Sequence, residues 1–301
     1  MTRPWTLTTG LAEGVPPLAV DPLHRFLAAH ALPGAERVEP ATPEAPGGPD
    51  RPELVRVLPT AAGPTVVGVT LRPEAVTVRR IAGSGSRGDV EARVRRWLDL
   101  DADPRAAVAA LGADPLLADA VRARPGLRIP RTPDPVETTV MTVLGQQVSL
   151  GAARTFGGRL VAAYGVPAGA GLTAFPTAAA LAAAGPDALR ATTGVTGARG
   201  RTLHALATLL ADGLDLDAAR ESGSTEEAYR ALLALPGVGP WTADYVSLRV
   251  LGRTDVFLPS DLVARRALGG LDVKAATARV AGWSPWRGYG LLHLWTAAVF
   301  A

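Results

Sequence analysis

The spacing of apolar side chains changes character part-way along the chain. Residues 54–58, 65–71 and 75–81 are short runs rich in β-formers, separated by Pro/Gly turns, and each reads as a strand. Residues 5–9 carry a similar composition. Residues 21–30 instead place Leu23, Phe26 and Leu27 on one face, which predicts a short helix. Residues 41–52 are rich in Pro and Gly and read as an exposed loop. A helix over residues 87–98 then leads out of this mixed region.

From Asp103 onward the pattern is helical almost throughout, with Pro, Gly, Ser and Asp at the breaks. Asp134-Pro135 opens one helix, Ser224-Thr-Glu-Glu227 is a capping box for another, and Ser284-Pro285 opens an apolar last helix. The alanine-rich residues 178–184 are helical rather than low-complexity coil. No internal repeat is evident. The expected fold class is α+β, with an α/β N-terminal domain over residues 1–88 and an all-helical domain over residues 89–301.

A chain of 301 residues accommodates two such domains and a substantial core. The formal charge is only +3, yet Lys274 is the sole lysine, so the basic side is almost all arginine and the isoelectric point is about 9.8. Arginine suits phosphate contacts, although a GC-rich genome, with abundant Ala, Gly and Pro, produces the same bias. The absence of cysteine excludes disulfides, thiolate metal sites and thiol nucleophiles. The first residues hold no apolar signal core and charges or prolines interrupt every longer apolar run, so a cytoplasmic protein without membrane association is expected.

The most informative stretch is Leu235-Pro-Gly-Val-Gly-Pro-Trp241, with Phe257-Leu-Pro-Ser-Asp261 closing twenty residues after Trp241. Gly237 and Gly239 permit positive φ and close approach of another molecule, and Pro240 suits the first position of a helix. Free N–H groups at such a start attract phosphate. Asp261 begins a further helix, where a carboxylate serves either as a cap or as a catalytic group.

These two segments, extended by Trp241-Thr-Ala-Asp-Tyr-Val-Ser-Leu-Arg249 and Asp255-Val-Phe-Leu-Pro-Ser-Asp261, resemble the helix–hairpin–helix (HhH-GPD) base-excision DNA glycosylases of the DNA-3-methyladenine glycosylase II type. Arg124-Pro-Gly-Leu-Arg-Ile-Pro130, Val143-Leu-Gly-Gln-Gln-Val-Ser149, Phe26-Leu-Ala-Ala-His30 and Trp286-Arg-Gly-Tyr-Gly-Leu-Leu-His-Leu-Trp295 carry the resemblance across nearly the whole chain. It implies a small TBP-like α/β domain followed by a two-lobed helical domain, with lobes of about residues 132–231 and of about 89–131 joined to 232–301.

The resemblance assigns catalysis to Asp261 and a base pocket to Phe26, Trp241, Tyr245, Leu262 and Trp295. Leu262 departs from the family, standing where a pocket tyrosine can occur. Aromatic walls suit cationic alkylated purines, although aromatics at helical spacing are also ordinary core. The family's strand-nicking members use a lysine at the position of Trp241, so an enzyme without lyase activity is implied. Gln147 stands where a residue fills the gap left by the flipped base, and here that place is polar rather than apolar. Gln146, Gly237, Gly239, Arg199 and Arg201 are the other expected DNA contacts; the alternatives are plain surface polar residues for Gln146 and Gln147 and a solvated face for the arginines. The resemblance also implies backbone carbonyls of Leu233, Leu235 and Val238 around a structural Na⁺ or K⁺; no other cofactor is required. Asp244 and Asp255 are read as structural carboxylates, and the four histidines lack zinc-like spacing.

The expected protein is a monomeric glycosylase, bacterial and nucleoid-associated, acting on alkylated bases such as 3-methyladenine and 7-methylguanine in duplex DNA. A glycosylase for deaminated or oxidised purines, or a non-catalytic hairpin module, are the alternatives.

Overall fold

The computed structural model describes residues 3–8, 13–40 and 52–300. The predicted loop at 41–52 therefore lies outside them, except for Pro52. Five strands and a helix come first: β1 (Trp5–Thr8), α1 (Val20–His30), β2 (Glu36–Glu39), β3 (Glu53–Thr60), β4 (Gly63–Leu71) and β5 (Ala75–Ala82). Next are α2 (Arg87–Trp97), α3 (Arg105–Leu111), α4 (Ala118–Ala123), α5 (Pro135–Leu144) and α6 (Leu150–Tyr164). A short hairpin, β6 (Val166–Gly169) and β7 (Leu172–Ala174), precedes α7 (Ala178–Thr193), α8 (Gly197–Ala211), α9 (Leu216–Ser222) and α10 (Thr225–Leu233). The chain ends with α11 (Pro240–Arg249), α12 (Leu262–Ala267), α13 (Val273–Arg279), α14 (Arg287–Trp295) and a π-helical turn, Thr296–Phe300.

The first five strands form one antiparallel sheet in the order β1-β5-β4-β3-β2. Alternation along β3 separates its faces. Leu54 and Leu58 join a large core with α1, α2 and the C-terminal helices, whereas Val55 and Val57 pack with Val66 against Ala168, Leu172 and Ala174 of the β6–β7 hairpin. Neither face of β3 is left to solvent.

A second core belongs to α5–α11, with Leu32 and Ala35 packed into it from the N-terminal region. Helix α11 joins the two cores: Ala243 and Val246 enter the second, Leu248 the first. Its remaining face, bearing Trp241 and Tyr245, meets the cleft between them.

The sequence reading requires three corrections. Residues beyond 103 are not purely helical, because β6 and β7 lie among them. Ser224 forms no capping box: it makes no side-chain cap, and its hydroxyl pairs with that of Ser222 at 3.0 Å. The last helix starts at Arg287, not at Ser284-Pro285, whose peptide bond is cis. The Ser284 hydroxyl donates instead to Asp255 at 2.8 Å. Asp134 behaves as predicted, capping α5 by accepting the Glu137 N–H at 3.1 Å.

Candidate active site and nucleic-acid interface

Asp261 is the N-cap of α12, and its side chain lines the cleft. Its Oδ1 accepts the Ala264 N–H at 2.8 Å and the indole N–H of Trp295 at 3.0 Å. Oδ2 has no hydrogen-bond partner among the described residues. Capping and catalysis are therefore compatible: one oxygen holds the helix and the other is available to the cleft. Of the other carboxylates nearby, Asp255 is ion-paired with Arg287 at 2.6 Å, which holds it below the usual carboxylate range. Asp244 is pushed up by burial and bonds the Tyr229 hydroxyl.

The cleft is a cavity of about 390 Å³. Trp241 and Tyr245, one turn apart on α11, stack at 5.4 Å between centroids, and Trp295 tilts against Tyr245 at 6.2 Å. Phe26 reaches the same cavity from α1 and is almost fully buried. Leu262 does not join them. It is 56% exposed and lies outside the cavity lining, because its place directly after the N-cap turns it to solvent.

Two further pocket residues escaped the sequence reading. Arg249 donates to the Tyr245 hydroxyl at 2.6 Å, to the Arg131 carbonyl at 3.2 Å and to the Pro130 carbonyl, and its guanidinium lies 4.8 Å over the Phe26 ring. It thereby ties the N-terminal and hairpin walls of the cleft together. His30 stacks on Phe26 at 4.1 Å and its Nδ1–H donates to the Phe26 carbonyl at 2.7 Å. Burial, and after it the Arg249 charge, pushes this imidazole down to about 4, so it is neutral. His30 is the last residue of α1, inside the Phe26-Leu-Ala-Ala-His30 segment that carries the resemblance, but that segment assigned a pocket role to Phe26 alone. The four-residue spacing of Tyr245 and Arg249 could have identified the arginine.

Deeper in the cleft, Arg56 of β3 pairs with Glu36 at 3.2 Å and with Glu137 of α5 at 3.1 Å, and stacks on Trp97 at 4.9 Å. Burial pushes Glu36 up to about 7 and Asp134 up to about 7, with Glu137 adding to both. Arg56 stands on the apolar face of β3 between Leu54 and Leu58, an anomaly visible in the alternation.

The hairpin between α10 and α11 takes the expected shape, with one revision. Gly237 has φ +84°, but Gly239 has φ −98° and ψ 177°, an extended conformation open to any residue. Gly239 matters for space, not for handedness. Of the three carbonyls expected around a monovalent cation, that of Leu235 accepts the Val238 N–H at 3.1 Å.

The remaining expected DNA contacts divide. Gln147 is exposed with φ +54°, and Arg201 is exposed on α8. Gln146 and Arg199 are turned inward. The Gln146 amide donates to the Gly237 carbonyl and to the Thr242 hydroxyl, each at 2.9 Å, and Arg199 donates to the Gln146 carbonyl at 2.5 Å. Among the described residues no cluster of His, Asp and Glu suited to a metal ion occurs, and no helix is long and apolar enough to cross a membrane.

Two family patterns divide this chain between them: the AlkA N-terminal domain matches residues 14–134, and the HhH-GPD superfamily of base excision DNA repair proteins matches residues 140–278. The class is thus a helix–hairpin–helix base-excision protein with an added sheet domain. Over 207 residues the chain is 36% identical to DNA-3-methyladenine glycosylase 2 of Escherichia coli, covering 68% of this chain and 70% of that protein. It therefore belongs to the DNA-3-methyladenine glycosylase 2 family. It is also 43% identical over 290 residues to a probable bifunctional transcriptional activator/DNA repair enzyme AlkA of Mycobacterium tuberculosis, with 93% of this chain matched. The chain spans about half the length of that relative, 55%. The fold is shared with a 3-methyladenine DNA glycosylase from Archaeoglobus fulgidus at a TM-score of 0.77 and 20% identity, over 98% of each chain.

Proposed function

We propose that this protein is a DNA glycosylase that hydrolyses the N-glycosidic bond of alkylated bases in duplex DNA, acting as a monomer in the cytoplasm and leaving the strand intact. The observation that carries the reading is the division of labour at Asp261, with Oδ1 fixed by Ala264 and Trp295 and Oδ2 available to an aromatic cleft. A base extruded from the stack enters between Trp241, Tyr245, Trp295 and Phe26. As the base leaves, positive charge develops on the deoxyribose, where a carboxylate stabilises it and assists deprotonation of the attacking water. The hairpin and Arg201 hold the backbone, and the Leu233 and Val238 carbonyls would hold a Na⁺ or K⁺ that steadies the loop. Trp241 occupies the place of the nicking lysine, and Lys274 lies exposed on α13, outside the cleft lining.

One observation favours a second reading. The Arg249 guanidinium already sits over Phe26 and, at 5.5 Å, over Tyr245. A fixed cation on those rings weakens their attraction for a cationic base and favours neutral lesions such as deaminated purines.

The test is chromatography of the free bases released from methylated duplex DNA. Release of 3-methyladenine and 7-methylguanine is expected; release of hypoxanthine alone from a mixed substrate supports the second reading, and release of nothing refutes both. Borohydride trapping is expected to give no covalent protein–DNA adduct. An efficient adduct lost in Lys274→Ala would overturn the monofunctional reading.

A further inference from the structure

Gln147 combines exposure with a left-handed backbone, φ +54°, which side chains other than glycine, asparagine and aspartate rarely adopt. It lies in the short loop joining α5 to α6, and its neighbours Gly145 and Val148 line the cleft. Something must hold this residue where an isolated loop would relax. The preceding peptide is held from both sides. The Gln146 side chain spans to the hairpin, donating to the Gly237 carbonyl and the Thr242 hydroxyl. The Gln146 carbonyl, part of the peptide plane that leads into Gln147, accepts Arg199 of α8 at 2.5 Å.

Helix α8 is itself pinned to the hairpin one turn further on. The Thr202 hydroxyl donates to the Pro236 carbonyl at 2.9 Å, and it fills the space that a side chain at Gly237 would need. The loop, α8 and the hairpin thus form a single knot of side chain to backbone bonds. In it both amide donors of Gln146 go to protein groups, and Arg199 commits a guanidinium N–H to the Gln146 carbonyl.

We infer that Gln146 and Arg199 are positioning residues that hold Gln147 in its left-handed conformation and lock its loop to the hairpin, so that gripping the phosphate also presents Gln147 to the duplex. This role rests on the glycosylase reading and gives two residues of that site a function other than DNA contact. Preset geometry means that no ordering of the loop remains to be done when the base is extruded.

The test is a double-mutant cycle between Gln146→Ala and Gln147→Asn, with Arg199→Met as an independent probe. Asparagine tolerates the left-handed region, so it replaces by intrinsic preference what Gln146 supplies by anchoring. Three quantities are read for each variant: affinity for undamaged duplex, fluorescence of 2-aminopurine placed beside the lesion, and single-turnover base release. Gln146→Ala and Arg199→Met are expected to keep undamaged-duplex affinity within about two-fold while base release and the fluorescence rise slow about ten-fold. Gln147→Asn is expected to recover about three-fold or more of the Gln146→Ala loss. Parallel losses of undamaged-duplex affinity and of base release would instead make Gln146 and Arg199 direct DNA contacts. An additive cycle would make them supports of lobe stability alone. Either result overturns the inference. If the wild-type protein released no base, the glycosylase reading would fail by itself, and the affinity and fluorescence cycle would still decide the positioning role.

Discussion

Alanine at Gly239 separates the hairpin's grip on DNA from its fold, and alanine at Gly237 supplies the contrast. At Gly239 the backbone is extended and a Cβ meets nothing within 4 Å. Where the native conformation suits alanine, the substitution stabilises by about 0.4–1 kcal/mol through the unfolded chain. At Gly237 φ is +84°, and a Cβ would stand 2.2 Å from the Thr202 hydroxyl oxygen. A left-handed alanine costs about 1–2 kcal/mol and overpacking about 1–3 kcal/mol, so Gly237→Ala destabilises by about 2–5 kcal/mol. At about 2–4 °C per kcal/mol its Tm falls by about 4–20 °C, while that of Gly239→Ala stays put or rises. On DNA the ranking changes. On the glycosylase reading, a methyl at Gly239 would stand in the open space where a phosphate would approach the start of α11. Loss of one charge-assisted hydrogen bond, about 1.5 kcal/mol, weakens binding about ten-fold. Anisotropy titrations of undamaged and lesion-bearing duplex at several salt concentrations measure this. The same factor is expected for both duplexes, with the log–log salt slope unchanged, because a neutral backbone N–H displaces no counterion. A Gly239→Ala loss confined to lesion-bearing DNA, or a Tm fall matching that of Gly237→Ala, would refute the reasoning.

Trp241→Ala and Trp295→Ala are expected to slow single-turnover release of 7-methylguanine and 3-methyladenine more than that of hypoxanthine, since cationic bases gain most from electron-rich rings. Equal losses would leave the aromatics as packing, and the reverse ranking would favour a neutral-base enzyme. Stability should respond to pH through Glu36 and Asp134, both raised to about 7 by burial. An unfolded chain has lost these protons by about pH 4.5 whereas the folded protein keeps them to about pH 7, so stability falls as pH rises across that window. His30 and His293, lowered to about 4, act oppositely by losing stability as pH falls from about 6.5 to 4. Glu36→Gln removes only the Glu36 share, so its Tm is expected to gain on the wild type between pH 5 and pH 7.5; a constant offset would contradict the assignment.

Much of this architecture is written locally. The β-branched runs of β3, β4 and β5, the Asp134 cap and the Pro-Gly-Val-Gly hairpin all act through neighbours in the chain, and the sequence reading finds them. β2 escapes because Glu36-Arg-Val-Glu39 has no apolar alternation; it pairs with β3. The β6–β7 hairpin escapes because its short strands are specified by the sheet they cover, far away in sequence. The candidate site divides along the same line. Asp261, Trp241, Tyr245, Trp295 and Phe26, named from the sequence, line one cleft. Leu262 does not, because the N-cap geometry that fixes Asp261 also faces its neighbour to solvent. The inward turn of Gln146 and Arg199 depends on partners 91 and 53 residues away, which no local pattern encodes.

The central claim is tested most directly by Asp261→Asn, with base release and duplex binding measured on the same preparation. Asparagine keeps an Oδ1 to accept both the Ala264 N–H and the Trp295 indole, and it caps helices as well as aspartate does. Fold and duplex affinity should therefore persist, with affinity unchanged or slightly tighter once a carboxylate near phosphates is gone. Single-turnover base release should fall by about 10²–10³-fold or more, because only the charge facing the deoxyribose is lost. Release by Asp261→Asn at a rate comparable to wild type would contradict the account and leave Asp261 a helix cap.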